Sequence, residues 1–389
     1  MSRPIAIVAG YLARYPLGGH LLSQYHFLAG LAKLGYEVVF LEHYGWEQAC
    51  YDPRTNTMSD DPTYGLSQIL PFFERIGIRR WCYVDAVGKW HGLPRDDVKG
   101  LCKQADFVLC ASSTTWLEEL RDCRTRIFVD IDPGFTQFKM SPTPNTSCAG
   151  YASPYDFNFH FTFGERIGKP DCPIPTRGLR WQPFRQPLAR ELIQPRYTPE
   201  AGRFTTVMSW AAYGSTDYEG VTYGQKNAEM LKFIELPRHT GKVFEIALGG
   251  VGAPAQLLEA AGWIITEALA ATWSLDAYLN YLGNSRGEFS VAKGGYVKTR
   301  CGWFSDRTVA YLASGKPVIV QDTGFSEFLP CGEGLFGFQT ADDVVHAVKE
   351  IGKDYERNCR TARRIAEEYF DSDKVLRSML QACDLPLPR

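Results

Sequence analysis

Ile5-Ala6-Ile7-Val8-Ala9 is an uninterrupted apolar run, the pattern of a strand buried on both faces. Gly10, Pro16 and Gly18-Gly19-His20 follow it. Apolar residues then return at helical spacing (Leu22, Tyr25, Phe27, Leu28, Leu31, Leu34) until Gly35 stops them. Tyr36-Glu37-Val38-Val39-Phe40-Leu41 predicts a second strand, so the chain opens with a β-loop-α-β unit that carries glycines at its first turn. Further strands are predicted at residues 107–110, 127–130 and 159–163. Residues 178–203 interrupt the pattern with Pro183, Pro187, Pro195 and Pro199, several arginines and no clear period, which reads as a linker region.

A second alternation starts beyond it. Strands are predicted at 205–210, 243–248 and 263–266, and helices near 225–235, 254–261 and 275–282. Residues 305–315 read as a helix entered through Ser305 and stopped by Gly315, and 317–320 as a buried strand. Asp322-Thr323-Gly324 then makes a polar turn at the carboxyl edge of a parallel sheet. The segment 342–383 is helical by pattern and charge. The expected fold class is α/β, with two Rossmann-like parallel-sheet domains facing across a cleft and helices at the C-terminus. The expected divisions are residues 1–185, a linker at 186–203, a second domain at 204–365, and a helical tail at 366–389 that can cross back to the first domain.

Composition narrows the picture. A chain of 389 residues suits two domains, and a net charge of −2 gives no electrostatic reason to expect nucleic-acid binding. The 11 cysteines are an odd number with no CxxC pair, which favours reduced thiols over a disulfide frame or a zinc site. No signal peptide precedes the first strand and no apolar run is long enough to span a membrane, so a cytoplasmic location is expected. A homodimer is left open.

Several clusters could carry chemistry. Gly18-Gly19-His20, between a strand and a helix, lets backbone approach an anion at a helix N-terminus, or forms a plain tight turn. Ser209 ends a strand, and Lys226 opens a helix from which it could reach the same anion; a lone lysine is otherwise a solvated charge. Ser305-Asp306-Arg307 offers free N–H groups and a guanidinium to a phosphate, and Asp306 could instead grip ribose hydroxyls. Glu288, in what reads as a turn over 285–290, could accept hydroxyl hydrogen bonds or form a surface ion pair. Asp130 and Asp132, at a strand end before Pro133-Gly134, could act on an acceptor hydroxyl, hold a divalent metal, or belong to an ordinary turn. Glu165 similarly ends a strand, and His20, His26 and His160 are the histidines placed to line the cleft.

In order along the chain, these pieces resemble the GT-B class of nucleotide-sugar glycosyltransferases, and glycosyltransferase family 4 in particular, as a divergent bacterial subfamily. Gly18-Gly19 resembles the family's first glycine loop. Lys226 fits the lysine of its "GR…K" segment, with Ser209 and Trp210 at the glycine and arginine places. The run 285–290 resembles its "PS..EGFG" turn, the run 315–324 its "GxPVIxxDxGG" segment, and 174–178 its "IPNG" entry to the linker. Cys301-Gly302-Trp303-Phe304-Ser305 also resembles the "HCGWNS" box of the plant-type enzymes. Ala310 stands where family 4 has a ribose-binding glutamate, and about ten residues, 292–301, look inserted before the helix.

The resemblance implies a retaining, metal-independent transfer of a sugar from a nucleoside diphosphate to an unidentified small-molecule, glycan or other acceptor, with no cofactor. Together with the residue readings above, it puts the donor on Gly18, Gly19, His20, Ser209, Lys226, Ser305, Asp306, Arg307, Asp322, Thr323 and Gly324, and catalysis on Asp130, Asp132, Glu288 and Arg307. The first domain would be the acceptor side. Other readings are a nucleotide-sugar epimerase of the same fold, a metal-dependent transferase using Asp130-Ile131-Asp132, and a non-catalytic sugar-nucleotide binder.

Overall fold

A computed structural model describes residues 3–197, 202–241 and 243–388. Residues 1, 2, 242, 389 and, within the expected linker, 198–201 lie outside the described residues.

The first half is built on an eight-stranded sheet. Its order is Trp181–Pro183, Phe159–Thr162, Arg126–Asp130, Phe107–Ala111, Ile5–Ala9, Glu37–His43, Arg80–Val84 and Trp90–Gly92. All neighbours are parallel except the last strand, which is an antiparallel edge. Ala6 and Val8 pack into one core cluster and Ile7 and Ala9 into another, so the central strand is buried on both faces. That double burial is why it reads as an unbroken apolar run.

The second half carries a six-stranded parallel sheet, ordered Ile264–Glu267, Phe244–Gly249, Phe204–Ser209, Gly287–Ser290, Val318–Gln321 and Leu335–Phe338. Numbered within this half the order is 3-2-1-4-5-6, the doubly wound Rossmann arrangement. Its topological switch point falls between Phe204–Ser209 and Gly287–Ser290.

Two segments differ from the expectation. Residues 287–290 are a buried strand rather than a turn, with Glu288 fully buried inside it. The segment that looked inserted contains a short helix, Gly294–Thr299. An antiparallel hairpin, Thr216–Tyr218 with Val221–Tyr223, was not foreseen. It stacks Tyr218 and Tyr223 on Phe138 of the first half, with ring centroids 5.0 and 4.3 Å apart.

The halves meet along several contacts. The helix Gly18–Lys33 lies against Leu275–Asn284, and a Cβ on Gly18 would sit 2.3 Å from the Ser274 carbonyl oxygen. Asp132 of the first half accepts hydrogen bonds from Lys293 (2.9 Å), Tyr213 and Tyr296 of the second. Arg166 pairs with Glu327 at 2.7 Å. The last helix, Ser372–Ala382, returns to the first half. Leu376, Met379 and Leu380 join its core, and Gly30 lets Leu376 approach closely.

Candidate active site at the cleft between the sheets

A cleft of ≈ 620 Å³ lies between the carboxyl edges of the two sheets. The first half supplies Tyr15, Gly19, His20 and Tyr51 to its wall; the second supplies Ser209, Gly250, Glu267, Tyr278, Asp306 and Arg307. Gly250 has φ +98°, and a Cβ there would lie 3.1 Å from the Trp210 backbone nitrogen. Only glycine brings these two strand ends so close without strain.

Arg307 crosses the switch point. Its Nη1 donates to the Val207 carbonyl (2.7 Å) on one strand, while its Nε donates to Glu288 Oε1 (2.8 Å) and its Nη2 to Ser290 Oγ on the next. Glu288 is the buried partner that makes a guanidinium tolerable here. Glu288 therefore holds Arg307 and does not face the cleft, which corrects its expected contact with the sugar. Its Oε2 is buried without a hydrogen-bond partner.

Lys226, at the start of the helix Lys226–Lys232, is not in the cleft wall but shares the electrostatic neighbourhood of Arg307. It makes no ion pair or hydrogen bond among the described residues. Burial lowers its pKa well below the usual lysine range. Arg307 and Lys293 lower it further, while Glu288 and Asp306 oppose them. Arg307 and Lys226 are thus two basic side chains within electrostatic range of each other near the sheet's carboxyl edge, where α/β proteins bind ligands.

On the facing side, His20 Nε2 lies against the Tyr11 carbonyl oxygen, and the two rings are 4.2 Å apart. A carbonyl only accepts, so Nε2 carries the proton. Burial lowers the His20 pKa, so the ring is neutral. The loop before it is fixed by fully buried Glu42, which accepts from the backbone nitrogens of Leu12, Ala13 and Arg14 at 2.9, 2.8 and 3.0 Å. Gly18 does not reach the cleft: its missing side chain accommodates Ser274 and Tyr278 across the domain contact.

The remaining predicted residues lie elsewhere. Asp130 is fully buried and accepts from Thr136 (2.6 Å), Gln137 (2.8 Å), Thr162 (2.8 Å) and the Asp132 nitrogen (3.1 Å). Burial raises its pKa. With its oxygens satisfied inside the fold, it is a scaffold residue and not an acceptor-side base. Asp132 is spent on the Lys293–Tyr213–Tyr296 contact. Asp322 accepts from Gly324 N (2.9 Å) and Ser326 Oγ (2.8 Å), while Thr323 binds the Trp303 carbonyl and accepts from Gly302 N (2.8 Å). Gly324, at φ +97°, lets that turn approach the Arg300 carbonyl. The Asp322-Thr323-Gly324 turn thus secures the loop 300–304 and does not line the cleft. Ser305 is the N-cap residue of Asp306–Ala313 by position, but its hydroxyl accepts no cap hydrogen bond. Ala310 faces the core. Among the described residues no cluster of three His, Cys, Asp or Glu side chains could hold a metal ion.

Gly250, Glu267 and Tyr278 were missed. The glycine pair 249–250 closing an apolar strand was a readable signal; Glu267 and Tyr278 carried none.

Two parallel-sheet halves enclosing a cleft at their carboxyl edges define the GT-B fold. No family model matches the chain and no curated protein matches it. Solved structures do match over nearly its whole length. An alpha-glucosyltransferase in complex with UDP-glucose and DNA containing an abasic site is 11% identical, with a TM-score of 0.58, covering 99% of this chain and 100% of that one. AviGT4, a glycosyltransferase involved in avilamycin A biosynthesis, is 12% identical with a TM-score of 0.55, covering 98% and 97%. Sucrose-phosphate synthase from Thermosynechococcus elongatus is 11% identical with a TM-score of 0.52, covering 98% of both chains. At such identities the likeness is one of fold.

Proposed function

We propose that this protein is a glycosyltransferase that moves a sugar from a nucleoside diphosphate to an acceptor hydroxyl. The observation that carries the reading is Arg307 set across the switch point of the second sheet, with Lys226 within range of its charge. A fixed guanidinium, and a lysine whose protonation a bound anion would favour, suit a diphosphate that gains negative charge as the sugar departs. The transfer then needs no metal ion and no resident cofactor, because protein cations offset the charge. Retention of anomeric configuration follows from the family 4 resemblance. Among the structural neighbours, one is described in complex with UDP-glucose and another in complex with UDP, so uridine nucleotides are the first donors to try.

His20 and Tyr15 would face the donor from the first half, and closure of the cleft would keep water from the sugar. The test is incubation with a panel of nucleoside diphosphate sugars and mixed acceptors, followed by release of nucleoside diphosphate and the anomeric NMR signal of the product. Transfer with retention supports the reading. Release of no nucleotide from any donor, in folded protein, contradicts it.

A further inference from the structure

A second, smaller cavity of ≈ 110 Å³ adjoins the cleft and shares one wall residue with it, Asp306. Phe27, Ile131, Phe163, Trp303 and Val309 make its wall largely apolar. Trp303 is held there by stacking on Tyr296, with ring centroids 4.3 Å apart.

Five polar residues also line it; Ser23 and Gln186 are committed to the His20 and Phe304 carbonyls, which leaves Gln24, His26 and Asp306 to consider. Gln24 is 3% exposed, and its amide oxygen is buried without a hydrogen-bond partner among the described residues. A buried amide oxygen left unpaired costs stability, so its retention asks for a partner. His26 Nδ1 accepts from the Ala189 backbone nitrogen at 3.2 Å, which places the proton on Nε2. Burial lowers its pKa to about 3, so the ring is a neutral donor. Asp306 uses Oδ1 toward the Arg307 backbone nitrogen (2.9 Å) and the Ser305 hydroxyl, and among the described residues its Oδ2 takes no hydrogen bond.

We infer that this cavity receives the acceptor, and that the acceptor presents a compact, largely apolar ring bearing a hydroxyl. The inference rests on the transferase reading and adds the acceptor class to it. An apolar cavity of about 150 Å³ admits benzene, so this one suits a group of one small ring. Gln24 and His26 would bind its polar substituents. Asp306, in the wall of both cavities, would orient the hydroxyl toward the cleft that holds the donor.

The test uses benzyl alcohol and toluene as probes, followed by ligand-observed NMR with and without saturating UDP. The wild-type protein should bind benzyl alcohol near millimolar concentration and more tightly than toluene, and UDP should not displace it. Ile131→Trp, which fills the cavity, should weaken both probes at least tenfold. Gln24→Leu keeps the volume and should erase most of the preference for the alcohol over the hydrocarbon. UDP binding without benzyl alcohol binding, or displacement of the alcohol by UDP, overturns the acceptor assignment while leaving the donor site intact. Alcohol binding with no nucleotide binding by any of the common bases defeats the transferase reading and leaves the ligand class of the cavity standing.

Discussion

Glu288 Oε1 and Arg307 Nε lie 2.8 Å apart, the carboxylate fully buried and the guanidinium at the cleft wall. The pair joins a core strand to the helix that faces the cleft, so positioning of the cation and stability of the fold are one interaction. Arg307→Ala should therefore do two things. It should weaken nucleoside diphosphate binding by about 1–3 kcal/mol, the scale of a charged hydrogen bond. It should also destabilise the protein by about 3–5 kcal/mol, because Glu288 is left buried and uncompensated. Calorimetry and denaturant unfolding separate the effects, and Glu288→Gln in the Arg307→Ala background should recover stability without recovering affinity.

Lys226 predicts the opposite balance. Its ammonium is disfavoured in the folded state, so Lys226→Met should cost little stability while weakening diphosphate binding by about 1–3 kcal/mol. The sign with pH follows from the lowered pKa. Between the folded value and the usual lysine value the unfolded chain holds the extra proton, so this group makes stability rise with pH across that window. Lys226→Met should flatten that rise in urea titrations at a series of pH values. A bound diphosphate raises the lysine's pKa, so binding in the same window should take up protons, seen as a buffer-dependent calorimetric enthalpy.

Gly18→Ala separates two accounts of the glycine loop. A methyl group there would sit 2.3 Å from the Ser274 carbonyl oxygen. Backbone cannot yield as a flexible side chain can, so the substitution should cost about 1–3 kcal/mol through the domain contact. If the glycine served only to admit a phosphate, thermal unfolding would be unchanged and nucleotide affinity alone would fall.

Asp132→Ala removes the acceptor shared by Lys293, Tyr213 and Tyr296. The two halves should separate more readily, giving a larger radius of gyration in small-angle X-ray scattering. Asp132→Asn should fall between the two, since an amide oxygen still accepts but without charge.

Much of the architecture was legible because strands buried on both faces must be apolar throughout. Ile5–Ala9 and Val318–Gln321 announced themselves in that way. Gly287–Ser290 did not, because the charge of Glu288 is cancelled by a residue 19 positions along the chain. The hairpin at Thr216–Tyr218 and Val221–Tyr223 is largely exposed and lacks an apolar run. Its signal was the turn: Glu219 and Gly220 take φ of 49° and 75°, as a two-residue hairpin turn requires.

The site was legible in a similar, partial way. Helix starts and strand ends pointed to Ser209, Asp306 and Arg307, which the fold does bring into the cleft wall together with Gly19 and His20. Carboxylates were less readable. Asp130, Asp132, Glu288 and Asp322 all sit at or near the ends of sheet strands, and sequence alone does not say which face water and which are consumed by buried donors.

The most direct measurement is calorimetric titration of UDP, GDP, ADP, TDP and CMP into the wild-type protein, Lys226→Met and Arg307→Ala. Saturable binding of one nucleoside diphosphate to the wild type, weakened about tenfold or more in each variant, is the predicted result. Equal affinity in all three proteins would place the nucleotide elsewhere and contradict the account.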